Sequence, residues 1–116
     1  MASFEDLRQL ALALPGAREV DWKGAPYFQV GSKAFALGWG GRAVLKLDRD
    51  HQELLFEARP DTFEPFRFGP NRWAYVELAR IDEAELTDLV REAWAGVVPK
   101  RVSRPFFETL DRRGVS

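Results

Sequence analysis

The sequence predicts an α+β fold, an antiparallel sheet of about five strands with helices packed on one face, and three observations carry that prediction. The stretch Trp22 to Leu47, WKGAPYFQVGSKAFALGWGGRAVLKL, is a series of short apolar runs punctuated by Gly-Ser and Gly-Gly. Aromatic and β-branched runs about six residues long, separated by two-residue glycine turns, are the grammar of a β-meander. Segments of helical apolar spacing lie before and after these runs, so helices and strands are segregated along the chain. The hairpin turns exclude parallel crossovers from the centre of the sheet.

Ser3 followed by Asp6 forms a capping box with Asp in the place of Glu or Gln, and Phe4, Leu7, Leu10, Ala11 and Leu14 recur at helical spacing. This predicts a helix from Ser3 to Leu14, ended by Pro15 and Gly16. A strand over Arg18 to Lys23 follows, and Gly24, Ala25 and Pro26 break it. Tyr27 to Gly31, Ala34 to Trp39 and Arg42 to Asp48 are the strands of the meander. In the last of them Ala43, Leu45 and Leu47 share one face, and Arg42, Val44 and Lys46 share the other.

Asp48 is an N-cap for a short helix over Arg49 to Ala58, which Pro60 and Asp61 end. Thr62 to Asn71, TFEPFRFGPN, is aromatic but holds two prolines and a glycine, which suits a short edge strand or a packed loop. Arg72 to Leu78 alternates Ala74, Val76 and Leu78 against Trp73, Tyr75 and Glu77, the pattern of a strand. Asp82 and Glu85 form another capping box, and Leu86, Leu89, Val90, Ala93, Trp94 and Val97 make a continuous helical stripe that ends near Pro99. A short helix from Ser103 to Arg112 then offers Phe106, Phe107 and Leu110 for packing back on the domain.

At 116 residues the chain has the size of one domain, 1–116, and shows no repeat or linker that divides it. No window approaches the roughly 20 apolar residues of a membrane span, and the amino terminus MASFEDLRQLALALPG lacks the basic start and unbroken apolar core of a secretory signal. A cytoplasmic location is expected. The absence of cysteine excludes disulfides, thiolate zinc sites and cysteine nucleophiles. Seventeen basic against eighteen acidic side chains leave a net charge of −1, so binding to nucleic acid must come from a local patch.

The chain resembles the YjbR/MmcQ family of small bacterial proteins over almost its whole length. LPGA at Leu14 to Ala17, WKGAPYFQVGSKAFA from Trp22 to Ala36, LKLD at Leu45 to Asp48, GPNRWAYVEL from Gly69 to Leu78, and AWAGVVPKR near the end carry the resemblance. It implies a CyaY-like, secretion-chaperone-like arrangement, α-β(3)-α-β(2)-α, also described as a double wing, and with it DNA binding. Where many members have an asparagine, lysine, arginine and histidine run before the tryptophan, this chain has Pro70, Asn71, Arg72 and Trp73, which lowers the local positive charge.

Arg42, Lys46, Trp73 and Tyr75 fall on the outer sheet face, with Lys23, Lys33 and Arg72 at its rim. Cations there suit phosphates, and flat rings suit stacked bases, as in single-strand binders. The plainer reading of the same residues is cover for neighbouring strands and solubility. Lys100, Arg101, Arg104, Arg112 and Arg113 read as a solvated terminus.

His51, beside Asp48, Asp50 and Glu53, lacks the company of a metal site or a triad and reads as helix surface. Neither the Walker spacing nor the dinucleotide fingerprint is present. No catalytic residue, metal or cofactor is expected. The sequence therefore points to a small binding module for DNA or another nucleic acid. Its alternative is a protein- or peptide-binding adaptor that adds a strand at the TFEPFRF edge. An enzyme would require Trp22, Tyr27, Trp39 and Trp73 to line one aromatic pocket.

Overall fold

Ser3 opens the first helix, α1 (Phe4–Leu12): its hydroxyl accepts from the Asp6 amide at 3.1 Å, and the Asp6 carboxylate accepts from the Ser3 amide at 2.9 Å. Two amides that the helix itself leaves unbonded are thereby satisfied. This computed structural model describes residues 2–40, 42–68 and 71–114, without the side chains of Trp22, Phe68, Asn71, Arg112 and Arg113. The expectations placed on Trp22, Gly41, Pro70, Arg112 and Arg113 lie outside the described residues to that extent.

Among the described residues six strands follow from the alternating runs: β1 (Ala17–Trp22), β2 (Ala25–Val30), β3 (Lys33–Trp39), β4 (Arg42–Leu45), β5 (Phe63–Phe68) and β6 (Asn71–Val76). Every pairing is antiparallel, and the order across the sheet is β1-β2-β3-β4-β6-β5. Four strands precede the second helix, as read along the chain, where the family resemblance implied three, and the TFEPFRF segment is a true strand at the sheet edge. Its Pro65 is tolerated because an edge strand need not donate on its outer side.

Asp48 caps α2 (Arg49–Ala58), accepting from the amides of Asp50 and His51. Asp82 caps α3 (Glu83–Ala95), accepting from the Glu85 amide at 2.8 Å. The expected capping box there is half formed, because the Glu85 carboxylate is drawn to Arg59 at the end of α2. The last helix, α4 (Lys100–Gly114), begins three residues earlier than Ser103. It lays Phe106 and Phe107 against Trp94, with ring centroids 5.0 and 6.1 Å away.

These helices cover one face of the sheet. Phe28, Phe35, Leu45, Phe63 and Val76 meet Leu7 and Ala11 of α1 and Leu86, Leu89, Val90 and Trp94 of α3 in the main core. The Trp94 indole also donates to the Pro15 carbonyl at 3.0 Å, pinning the turn after α1. On α2, Gln52 is 2% exposed and donates to the carbonyls of Leu47 and Arg72, at 2.8 and 3.0 Å, which locks the helix to the chain on either side of it. Among the described residues no helix is long and apolar enough to cross a membrane.

The other face carries a smaller apolar cluster built from strand residues alone. Leu37, Val44 and Trp73 are buried there under Tyr27, Ala34, Phe66 and Tyr75. Cross-strand register explains their meeting: Tyr27 lies opposite Leu37, Leu37 opposite Val44, Val44 opposite Tyr75, and Trp73 opposite Phe66.

Candidate functional site

The two hairpin turns at one end of the sheet frame an open hollow of about 500 Å³. Lys23, Gly24, Ala25 and Pro26 form one lip, Trp39, Gly40 and Arg42 form the other, and Phe4 and Gly38 lie between. Lys23 and Gly24 have φ values of 52° and 86°, two successive left-handed residues, as a tight β1–β2 hairpin turn requires. Gly24 adopts this freely, whereas a lysine held there stores of order 1 kcal/mol of backbone strain. Gly38 is required for a different reason. A Cβ at that position would stand 2.5 Å from Cε2 of Phe4, so only glycine lets the aromatic ring approach β3 this closely.

Trp39 is the exposed ring of this hollow, with 45% of its surface accessible to solvent. Arg42 lies opposite it in the β3–β4 register. The Arg42 guanidinium rests 5.2 Å above the Tyr75 ring, with Nη1 3.2 Å from the Glu64 carboxylate and Nε 3.5 Å from that of Glu77. A planar cation held by two carboxylates and a ring face has little rotational freedom.

The predicted site residues are thus divided among several places. Lys23 and Arg42 meet at the hollow. Lys33 begins β3 and Lys46 follows β4, which places both at the opposite end of the sheet. Arg72 leaves the rim altogether: it pairs with Glu53 of α2 at 2.6 Å and covers Phe56 at 5.4 Å, because strand alternation turns it to the helix-covered face. Tyr75 is half-buried, edge-on to Phe66 with centroids 4.7 Å apart. Trp73 is 4% exposed and buried in the strand cluster, so no base can stack on it.

The four-ring pocket that an enzyme would require is likewise not assembled from the rings described. Tyr27 and Trp73 belong to the open-face cluster, Trp39 lines the hollow, and the Trp22 side chain lies outside the described residues. His51 is more than helix surface, since its Nδ1 lies 2.7 Å from Glu92 of α3. Glu92 also accepts from the Asp48 amide at 3.1 Å, so the pair fastens α2 to α3. Among the described residues no group of three or more His, Cys, Asp or Glu could hold a metal ion. Lys100, Arg101 and Arg104 are exposed on the first turns of α4.

Sequence reasoning missed the grouping of Trp39 with Lys23 and Arg42. A tryptophan directly before a Gly-Gly turn was the available signal, since a large ring at a hairpin end has few neighbours to cover it. The edge strand β5 is also blunter than its sequence suggested. The Phe63 amide donates to the Arg59 carbonyl at 3.0 Å and the Thr62 carbonyl accepts from Glu77 after β6, so the backbone groups of residues 63, 65 and 67 lie along the outer edge of the sheet. Pro65 has no amide, which leaves Arg67 as the strand's outward donor.

The YjbR family model matches residues 12–95 of the chain. No curated protein matches it. Among solved structures, the crystal structure of Deinococcus radiodurans protein DR2400, with family-model domain DUF419, is similar at 26% identity and a TM-score of 0.70, covering 80% of this chain and 76% of that one.

Proposed function

The chain belongs to the YjbR family, and from that premise we propose that it is a cytoplasmic module that binds single-stranded nucleic acid at the end of its sheet. One observation carries the proposal: the exposed Trp39 ring stands in an open hollow with Lys23 and Arg42 on its lips. A flat ring open to solvent accepts an unpaired base of any identity, and cations beside it take the flanking phosphates. A duplex keeps its bases stacked and offers nothing to the ring. The footprint is small, one base and about two phosphates, so affinity is modest and sequence preference weak.

Titration of labelled oligonucleotides at low salt tests this. With two phosphate contacts, the single-strand affinity is expected to fall with the logarithm of salt at a slope near −1.4. Lys23→Ala should remove about one contact from that slope. The proposal is overturned if neither single nor double strands associate at about 50 mM salt with protein near 100 μM, where nonspecific DNA binders associate.

A protein- or peptide-binding adaptor is the second reading, and the edge position of β1 is what favours it. The Ala17 amide turns outward to Leu14 at 3.1 Å, and alternation turns those of Glu19 and Asp21 the same way. Strand addition would slow hydrogen exchange at Glu19 and Asp21.

A further inference from the structure

Arg42 belongs to two neighbourhoods at once. It lines the open hollow with Trp39 and Lys23, and it also lines a small polar recess of about 70 Å³ with Asp61, Thr62, Glu64, Tyr75 and Glu77. Its Nη1 and Nε are engaged by Glu64 and Glu77, carboxylates contributed by β5 and by the residue that follows β6. Both carboxylates are well exposed, with 60% and 38% of their side-chain surface accessible. They lie on the solvent side of the sheet, where register puts Glu64 opposite Tyr75. Asp61, in the same recess, is paired with Arg80 at 3.1 Å.

We propose that Glu64 and Glu77 are specificity-determining residues of this site, which oppose the approach of densely charged polyanions and so restrict the hollow to single strands; the inference rests on the single-strand reading above. Two carboxylates engage the single charge of Arg42, so the guanidinium is held in orientation without a net positive field around it. A guanidinium has five N–H donors, and the two carboxylates engage Nη1 and Nε, leaving others for one phosphate. A duplex brings one negative charge per ~1.7 Å of its axis into range of the same carboxylates. It meets repulsion at every phosphate in range, whereas a flexible single strand, which brings about one phosphate near the carboxylates and turns the others away, meets a smaller part of it.

The test is the double variant Glu64→Gln/Glu77→Gln, compared with the wild-type chain and with Glu57→Gln/Glu108→Gln. The comparison pair makes the same charge change at exposed positions on α2 and α4. Removing two unit charges about 6 Å from a bound phosphate, in water-like screening, is expected to tighten single-strand binding about tenfold at low salt. Duplex binding should gain more than single-strand binding, and the control pair should change neither by more than about twofold.

If the wild-type chain binds single strands and the Glu64/Glu77 variant binds them no better, or more weakly, the two carboxylates only hold Arg42 in place and the inference is overturned. An equal gain in the control pair would overturn it as well, since the effect would then follow net charge. If wild type and variant both fail to bind any oligonucleotide, single-strand binding itself has failed, an outcome distinct from the others. Thermal melts of all three proteins exclude loss of fold as the cause.

Discussion

Two tryptophans on the same sheet have opposite consequences when removed. Trp39 is 45% exposed, so Trp39→Ala should leave stability within about 0.5 kcal/mol of wild type, yet weaken oligonucleotide binding by roughly 1–3 kcal/mol through the lost stacking partner. Trp73 is 4% exposed among Leu37, Val44, Tyr27 and Phe66, so Trp73→Ala should destabilise the fold by about 3–5 kcal/mol. Denaturant melts and titrations on the same two variants check the pair; a Trp73→Ala protein of normal stability would show that the strand cluster is misplaced. Gly38→Ala is a third probe at this scale, because its methyl group must displace the Phe4 ring from β3. A loss of about 1–3 kcal/mol is expected in melts, accompanied by weaker binding, since the same ring lines the hollow.

The α3 stripe was plain in the sequence, and Leu89 is buried as its spacing required. Leu89→Ala should cost about 2–5 kcal/mol of stability, and a loss below about 0.5 kcal/mol in denaturant melts would contradict the packing. The edge strand β5 supports a prediction of another kind. Pro65→Val restores an outward amide beside Arg67, giving the edge two donors in place of one, so self-association should rise in light scattering relative to wild type. Periods of 3.6 and 2 revealed α3 and the two faces of β4 because those patterns are local. The burial of Trp73 was not legible, since it depends on Val44 and Phe66 on flanking strands, and hence on β6 lying between β4 and β5. The orientation of Arg72 was missed for a related reason: alternation put it on the face opposite Trp73, but only the position of α2 supplies Glu53 and Phe56 to hold it there. The clustering of Lys23 with Trp39 and Arg42 needed both hairpins to end at the same side of the sheet, a property of the assembled meander.

At the scale of the whole molecule, several charges among the described residues are paired locally. Arg8, Arg42, Arg59, Arg72 and Arg80 each pair with a carboxylate, and the net charge is −1. No long-range field steers a polyanion to this surface, so the salt dependence of binding should reflect the hollow alone. A slope steeper than about −3 would mean that more than four phosphates are engaged, beyond what Lys23 and Arg42 can supply. The order of the strands has a further consequence, one of time. The strands β1 to β4 pair with their neighbours in sequence, whereas β4 must wait for β6, with Leu45 opposite Ala74. Local hairpins close in microseconds, and contacts between distant segments follow once a longer loop has been closed. Hydrogen exchange under native conditions should therefore show the β5–β6 amides opening at lower free energy than those of β2 and β3, and uniform protection would argue for a single cooperative unit. Lys23, Trp39 and Arg42 all belong to the early meander, while Glu64 and Glu77 arrive with the later hairpin. The carboxylates that oppose the ligand are then the last of the site to arrive and the first to leave, and a chain still folding presents a more cationic hollow than the finished protein.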